Sequence, residues 1–469
     1  MLRPAGSGRR DTLVRMTLGR RPVLESAFAT FVFFTAFAGQ FWRNLLGWWG
    51  FGAVVAVVLV GSVWLWAARR PRLSWRRTPK STLFLLGIAT LSLAWSHYPG
   101  GTALGLAILF VTTIAALSLT LSLGWHGVLR AAGSALKWVL ALSLLFELWV
   151  AVFVREPLLP NFPDFDASTG DLPMAFYWSR AMLFDGGPIE GIVGNRNLLG
   201  MAALIAAILF AALLASGGMR RAQGIGWLVV SGLILLLTRS ATVALVGVLV
   251  LAAYGFAMWA RRVGPERRRT VYVTAAAALV ASVALVGLLW NALLGLFGKS
   301  EDLTGRLDIW DSVIGLAAER PVLGWGYIGY WQPWVDPFDG LAVRNGVEYL
   351  QAHNAWLDVW MQLGVVGLLA FASIVVGALW RSWFLAVDRP RDERGHPVGF
   401  SAISLIPLLV LVALIGQSLA ESRLLIESGW ILLLAIAWGT KQRQWSPEPL
   451  PTMPPTRSPR RWARPEVPR

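Results

Sequence analysis

The chain has no cysteine, only four histidines and little charge for its 469 residues. The missing cysteines exclude disulfides, cysteine nucleophiles, iron–sulfur clusters and thiolate metal sites. The four histidines, His97, His126, His353 and His396, are too scattered for a His-rich metal centre. Only 14% of residues are charged, against roughly 25% in a soluble domain. Acidic residues are also scarce, 26 against 42 lysines and arginines, for a net charge of +16. In a soluble protein that balance would suggest nucleic-acid binding. Here the basic residues cluster between apolar runs, so membrane topology explains them and no nucleic-acid partner is expected.

What the chain has is apolar sequence, 56% of the whole. Runs near 20 residues recur from end to end and do not alternate, so helices rather than a barrel are expected to cross the bilayer. The expected fold is an all-α polytopic membrane protein with about twelve transmembrane helices. The spans lie near 23–42, 47–68, 81–96, 101–124, 134–154, 198–215, 225–238, 241–260, 270–297, 364–386, 400–419 and 425–440. Residues 1–22 form a basic N-terminus without an evident cleavable signal, 23–440 the membrane domain, and 441–469 a Pro- and Arg-rich tail expected to be disordered. Arg69–Lys80, Arg220-Arg221, Arg261–Arg269 and the tail are basic, whereas the long loops 155–197 and 298–363 are acidic on balance. The asymmetry predicts a multi-pass protein of the cell membrane with both termini cytoplasmic and both long loops extracytoplasmic. The tail is expected to touch anionic membrane lipids.

The polar text is concentrated in those loops. Ile189 to Asn197 ends in Gly194-Asn195-Arg196-Asn197, a turn followed at once by a helix, which Asn195 or Asn197 would cap. A helix N-terminus with Arg196 attracts anions. Arg239, in Thr238-Arg239-Ser240, falls at the outer end of the bundle, as either a functional cation or a snorkelling one. Thr304–Leu316 predicts a surface helix with Leu307, Trp310 and Ile314 on one side, suited to the membrane interface. Trp325, Tyr327, Tyr330, Trp331 and Trp334 offer flat faces for sugar rings or an interfacial aromatic belt. His353, just before a helix starting at Ala355, can take and return a proton near neutral pH. Glu147, Glu421, Arg423 and Glu427 lie in or beside spans, where charges need a partner or a task, and spacing alone assigns none.

Five stretches, taken in order, resemble the O-antigen ligase/polymerase family of membrane glycosyltransferases. They are Gly194-Asn195-Arg196-Asn197-Leu198-Leu199-Gly200, Thr238-Arg239-Ser240, Thr304–Trp310, Arg320-Pro321-Val322-Leu323-Gly324-Trp325-Gly326, and Ala352-His353-Asn354 with Leu363-Gly364-Val365-Val366-Gly367. The resemblance implies a GT-C-like membrane fold and transfer of a glycan from undecaprenyl diphosphate to an acceptor hydroxyl, with no metal, nucleotide or other cofactor. It places His353 at the acceptor hydroxyl and Arg239, Arg306 and Arg196 on the diphosphate. Asn195, Asn197, Asn354, Arg320 and Glu421 are the expected supporting residues. The expected partners are the lipid-linked glycan donor, a glycan or lipid-glycan acceptor, and membrane lipids. The strongly basic, Trp-rich chain with its Pro/Arg tail suggests a cell that need not make lipopolysaccharide, so a polymerase or ligase of a capsule, exopolysaccharide or wall glycan is expected, and the sequence does not name the acceptor. A transporter or flippase of lipid-linked sugars, or a non-catalytic envelope scaffold, are the alternatives.

Overall fold

A computed structural model describes residues 8–163, 172–288, 301–344, 347–391, 394 and 396–444. Its helices follow the apolar runs: α1 (Gly8–Phe37), α2 (Gly39–Arg69), α3 (Lys80–Leu91), α4 (Pro99–Trp149), α5 (Arg196–Ala215), α6 (Arg221–Thr238), α7 (Ala241–Val263), α8 (Arg268–Leu288), α9 (Glu301–Glu319), α10 (Ala355–Val387), α11 (Ile406–Ser418) and α12 (Glu427–Arg443). The protein is an all-α polytopic membrane protein. Among the described residues seven helices are long and apolar enough to cross a bilayer, and shorter apolar helices accompany them. Every expected span falls on a helix, two of them on the two halves of α4. The end of the ninth span lies outside the described residues. The only described sheet is a two-residue hairpin, β1 (Val343–Arg344) against β2 (Val347–Glu348).

Helices α5, α11 and α12 form the centre, with Phe210, Trp430 and Trp438 fully enclosed. Helices α2, α6, α7 and α8 turn apolar side chains outward, among them Val60, Val229, Leu251 and Val280. Outward apolar faces suit hydrocarbon, because in lipid a helix must satisfy only its own backbone. Three helices change direction at glycine: Gly47 in α2, Gly124 in α4 and Gly364 in α10. All three have φ between 63° and 70° with ψ near 180°, a region essentially reserved for glycine.

The basic end of the bundle is tied by arginines. Arg261 donates to the Ala386 carbonyl (2.7 Å) and Ser404 Oγ (2.9 Å). Arg268 donates to the Val387 carbonyl (2.6 Å) and pairs with Asp388. Both satisfy the exposed carbonyls and negative dipole end of α10.

The opposite end carries the two long loops. Glu147, near the end of α4, accepts from Glu190 N (2.9 Å), Gly191 N (2.6 Å) and Ser179 Oγ (2.8 Å), which anchors the first loop to the bundle. The second loop has a core of its own, built from Ile309, Val313, Leu316, Trp325, Trp331 and Phe338. It is grafted onto α10 where Gly364 opens that helix. Trp325 N donates to the Met361 carbonyl (3.0 Å), Gly326 N to Gln362 O (2.9 Å), and Val365 N to Pro321 O (2.8 Å). Gln362 Oε1 then accepts from Ile328 N and Gly329 N, each at 3.0 Å. The Arg320–Gly326 stretch and the Leu363–Gly367 stretch are thus two halves of one backbone joint.

One sequence expectation is incomplete here and one needs correction. Helix α9 buries Ile309, Val313, Leu316 and Ala317 against the loop core, while Ile314 is exposed. This inner stripe is a second one, received by the loop, beside Leu307, Trp310 and Ile314. Trp325, Tyr327 and Trp331 do not offer flat faces to a ligand. They are buried at 7%, 6% and 1% exposure. The indole N–H groups of the two tryptophans are satisfied inside: Trp325 donates to the Leu316 carbonyl (2.9 Å) and Trp331 to Tyr349 O (2.8 Å). Of the five aromatics Trp334 is the exposed one.

Candidate active site

The loop end of the bundle brings three separate segments onto one carboxylate. Glu421, in the turn between α11 and α12, is 4% exposed. Its Oε1 accepts from Arg306 Nη2 of α9 (3.1 Å) and Asn197 Nδ2 of α5 (3.2 Å). Its Oε2 lies 3.0 Å from His353 Nδ1, in the loop before α10. Burial would raise the Glu421 carboxyl, but His353, Arg306 and Arg423 together hold it at about 2. An ionised carboxylate only accepts, so His353 Nδ1 must carry a proton and donate it. The neutral ring then has its lone pair on Nε2.

Neighbouring groups lock this arrangement. Ser240 Oγ donates to Asn197 Oδ1 (2.7 Å), which turns the Asn197 NH2 toward Glu421. Asp358 accepts from Ala352 N (3.1 Å) and from Ser422 Oγ, joining the histidine loop to the Glu421 turn. Trp310 of α9 donates to the Ala352 carbonyl (3.0 Å). Tyr349 meets the His353 ring edge-on at 5.3 Å. Arg423 pairs with Glu427 beside this cluster.

The helix starts share a local design. Gly194, Arg239 and His353 all have a left-handed backbone, with φ of 66°, 46° and 50°. Each immediately precedes an N-cap: Asn195 for α5, Ser240 for α7 and Asn354 for α10. Each cap side chain accepts from the first-turn amides, such as Leu198 N to Asn195 Oδ1 at 3.1 Å. Arg239 and His353 are therefore held at the rim of capped, rigid helices, in conformations unfavourable to a side chain.

The remaining expected residues are placed as follows. Arg239 is exposed, beside Gly186 of the first loop, and its guanidinium makes no ion pair or hydrogen bond among the described residues. Arg196 occupies the first turn of α5, half-buried and electrostatically coupled to Glu190. Burial pushes Glu190 up to about 7, although Arg180 lies 3.1 Å away. Arg320 stacks on Trp325 at 3.8 Å, away from the Glu421 carboxylate. Sequence reasoning missed Asp358, Ser422 and Ser240 as organising groups. An acid in the first turn of an apolar helix was the available signal for Asp358. Among the described residues no three His, Asp or Glu side chains form a metal-holding group.

Comparison with known proteins bears on the family of the chain. Residues 224–372 match a family model described as O-antigen ligase. The exopolysaccharide production protein ExoQ of Rhizobium meliloti (strain 1021) is 28% identical over 140 residues, which is 27% of this chain and 31% of that protein. The chain thus matches under a third of the curated relative's length. Both findings support the O-antigen ligase/polymerase family. Arg239, Arg306 and His353 fall inside the matched segment, whereas Asn197 and Glu421 lie outside it.

Proposed function

We propose that the protein is a membrane glycosyltransferase of polysaccharide assembly, moving a glycan from a polyprenyl diphosphate, undecaprenyl diphosphate in particular, to a hydroxyl of an acceptor sugar. The observation that carries this reading is His353 held through Nδ1 on the Glu421–Arg306 pair, which hydrogen bonds through Asn197 and Ser240 tie to the exposed Arg239 turn. The charge asymmetry of the loops supports an extracytoplasmic site. Relatives named for O-antigen ligation and exopolysaccharide production support the substrate class.

The chemistry follows from these groups. His353 Nε2 takes the proton of the acceptor hydroxyl as its oxygen bonds to the anomeric carbon. The bond from that carbon to the diphosphate oxygen breaks, and the electron pair leaves with the lipid diphosphate. Negative charge then grows on the diphosphate, where Arg239, Arg306 and Arg196 are the guanidinium groups offered to it. Attack from the face opposite the leaving group inverts the anomeric centre. The bond to diphosphate drives the transfer without a further energy source.

The test uses the full chain in liposomes, a lipid-linked oligosaccharide and a panel of glycan acceptors, with mass analysis of products. A new glycosidic bond with release of polyprenyl diphosphate is expected, and His353→Ala should lower it by about 10²–10⁴-fold, the usual contribution of a positioned base. Donor that crosses the bilayer unchanged would favour a flippase and overturn the proposal. The acceptor end of the product separates ligase from polymerase.

A further inference from the structure

We infer that Glu421 is the positioning residue of the site, and that Ser240 and Asn197 hold it in register with the Arg239 turn. The inference rests on the transferase reading above and adds a role for three side chains that do not touch the reacting atoms. The structure places an unbroken hydrogen-bond chain between the two functional regions. Ser240 Oγ donates to Asn197 Oδ1 (2.7 Å), Asn197 Nδ2 donates to Glu421 Oε1 (3.2 Å), and His353 Nδ1 donates to Glu421 Oε2 (3.0 Å). Ser240 is also the cap of α7, accepting from Val243 N at 3.2 Å, and it adjoins Arg239. The chain therefore begins one residue from the exposed cation and ends on the base.

The two oxygens of Glu421 have distinct duties. Oε2 faces His353, and Oε1 receives two donors, Arg306 and Asn197. Only a carboxylate can accept on both sides at once. A glutamine has one accepting oxygen. If that oxygen turns to His353, its NH2 faces the two donors. If it turns to the donors, its NH2 faces His353 Nδ1, which must then accept, and the ring proton moves to Nε2. That tautomer cannot take a proton from a hydroxyl. A flip of the Asn197 amide, with Ser240 Oγ then accepting, relieves only one donor, because Arg306 can only donate and still faces the NH2.

Kinetics in the same liposomes distinguish positioning from bulk stability. Glu421→Gln is expected to lower kcat by about 10²-fold or more, with the donor KM unchanged or lower, because Arg306 is released from its carboxylate. Glu421→Asp keeps the charge and should recover part of that loss. Asn197→Ala should lower kcat by about tenfold, the cost of one hydrogen bond that orients a catalytic group. Membrane insertion and thermal midpoint are measured for each variant. The inference is overturned if Glu421→Gln keeps kcat within about threefold of the parent, if Glu421→Asp falls as far as Glu421→Gln, or if the losses track the amount of folded protein. A parent protein without transferase activity, or an active His353→Ala variant, would instead remove the reading on which the inference rests.

Discussion

Gly364→Ala should undo the joint between the second loop and α10. Gly364 has φ 63° and ψ −167°, a conformation that costs a side chain roughly 1–3 kcal/mol. A β-carbon there would lie 2.1 Å from the carbonyl atoms of Val322, which are backbone and cannot swing aside. Separating the two strands breaks the Val365–Pro321, Trp325–Met361 and Gly326–Gln362 hydrogen bonds, each worth about 1 kcal/mol net. The local cost is therefore on the order of 4 kcal/mol or more, about 10³-fold in the docked population of the loop. Hydrogen exchange and limited proteolysis of the detergent-solubilised protein should show residues 320–354 opening, and transfer should fall with them. Gly124→Ala is the control. It has the same backbone conformation but nothing within 4 Å of the added carbon, so it should show strain alone. Gly324→Ala attacks the joint from the other side, 2.4 Å from the Gln362 carbonyl carbon. Its effect should be far from additive with that of Gly364→Ala, since either change opens the same joint. Unaltered protection of the loop in Gly364→Ala, with full transfer, would refute the reasoning.

Two further outcomes are expected. The chain has no native cysteine, so single introduced cysteines report topology directly. Exposed Asp339→Cys in the second loop should react with an impermeant maleimide in intact cells, and exposed Glu266→Cys at the basic end only after permeabilisation; the reverse pattern would invert the site. Glu421 is held at about 2 against an ordinary 4.5, so its ion pairing stabilises the fold fully above about pH 4.5 and is lost as pH falls toward 2. The thermal-stability advantage of the parent over Glu421→Gln should narrow across that window, and a constant difference would count against the ionised carboxylate.

Much of this could be read from the residues, for reasons that also set the limit. Apolar runs near the bilayer thickness specify helices by a local rule, so the spans were legible. So was the cap at Asn195, because capping uses groups within three residues. His353 was legible as a lone histidine before a helix. Its pairing with Glu421, expected only as a supporting residue, was not: Glu421 is 68 residues further along, and no spacing rule connects a loop to a turn between two later helices. The aromatics of the second loop show the same limit. Trp325 and Trp331 have the composition of an interfacial belt, but carbonyls on α9 and at Tyr349 draw them inside. The inner stripe of α9 went unread for the same cause. Its register is chosen by Trp325 and Phe338, which no helical period within α9 encodes.

The recurring helix start isolates function from stability. At Gly194 the left-handed position before the cap is filled by the residue that suits it. At Arg239 the same position holds a side chain at a cost of about 1 kcal/mol. That side chain is exposed and makes no hydrogen bond or ion pair among the described residues, so the fold gains little from it in return. Arg239→Gly should therefore leave the thermal midpoint unchanged or slightly raised, while transfer collapses and the donor KM rises with loss of a guanidinium at the diphosphate. Lysine at the same position keeps the charge but not the bidentate fork, and should restore only part of the activity. A variant that loses stability and activity together would make Arg239 a structural anchor of the first loop through Gly186. A stable and fully active Arg239→Gly would remove it from the site.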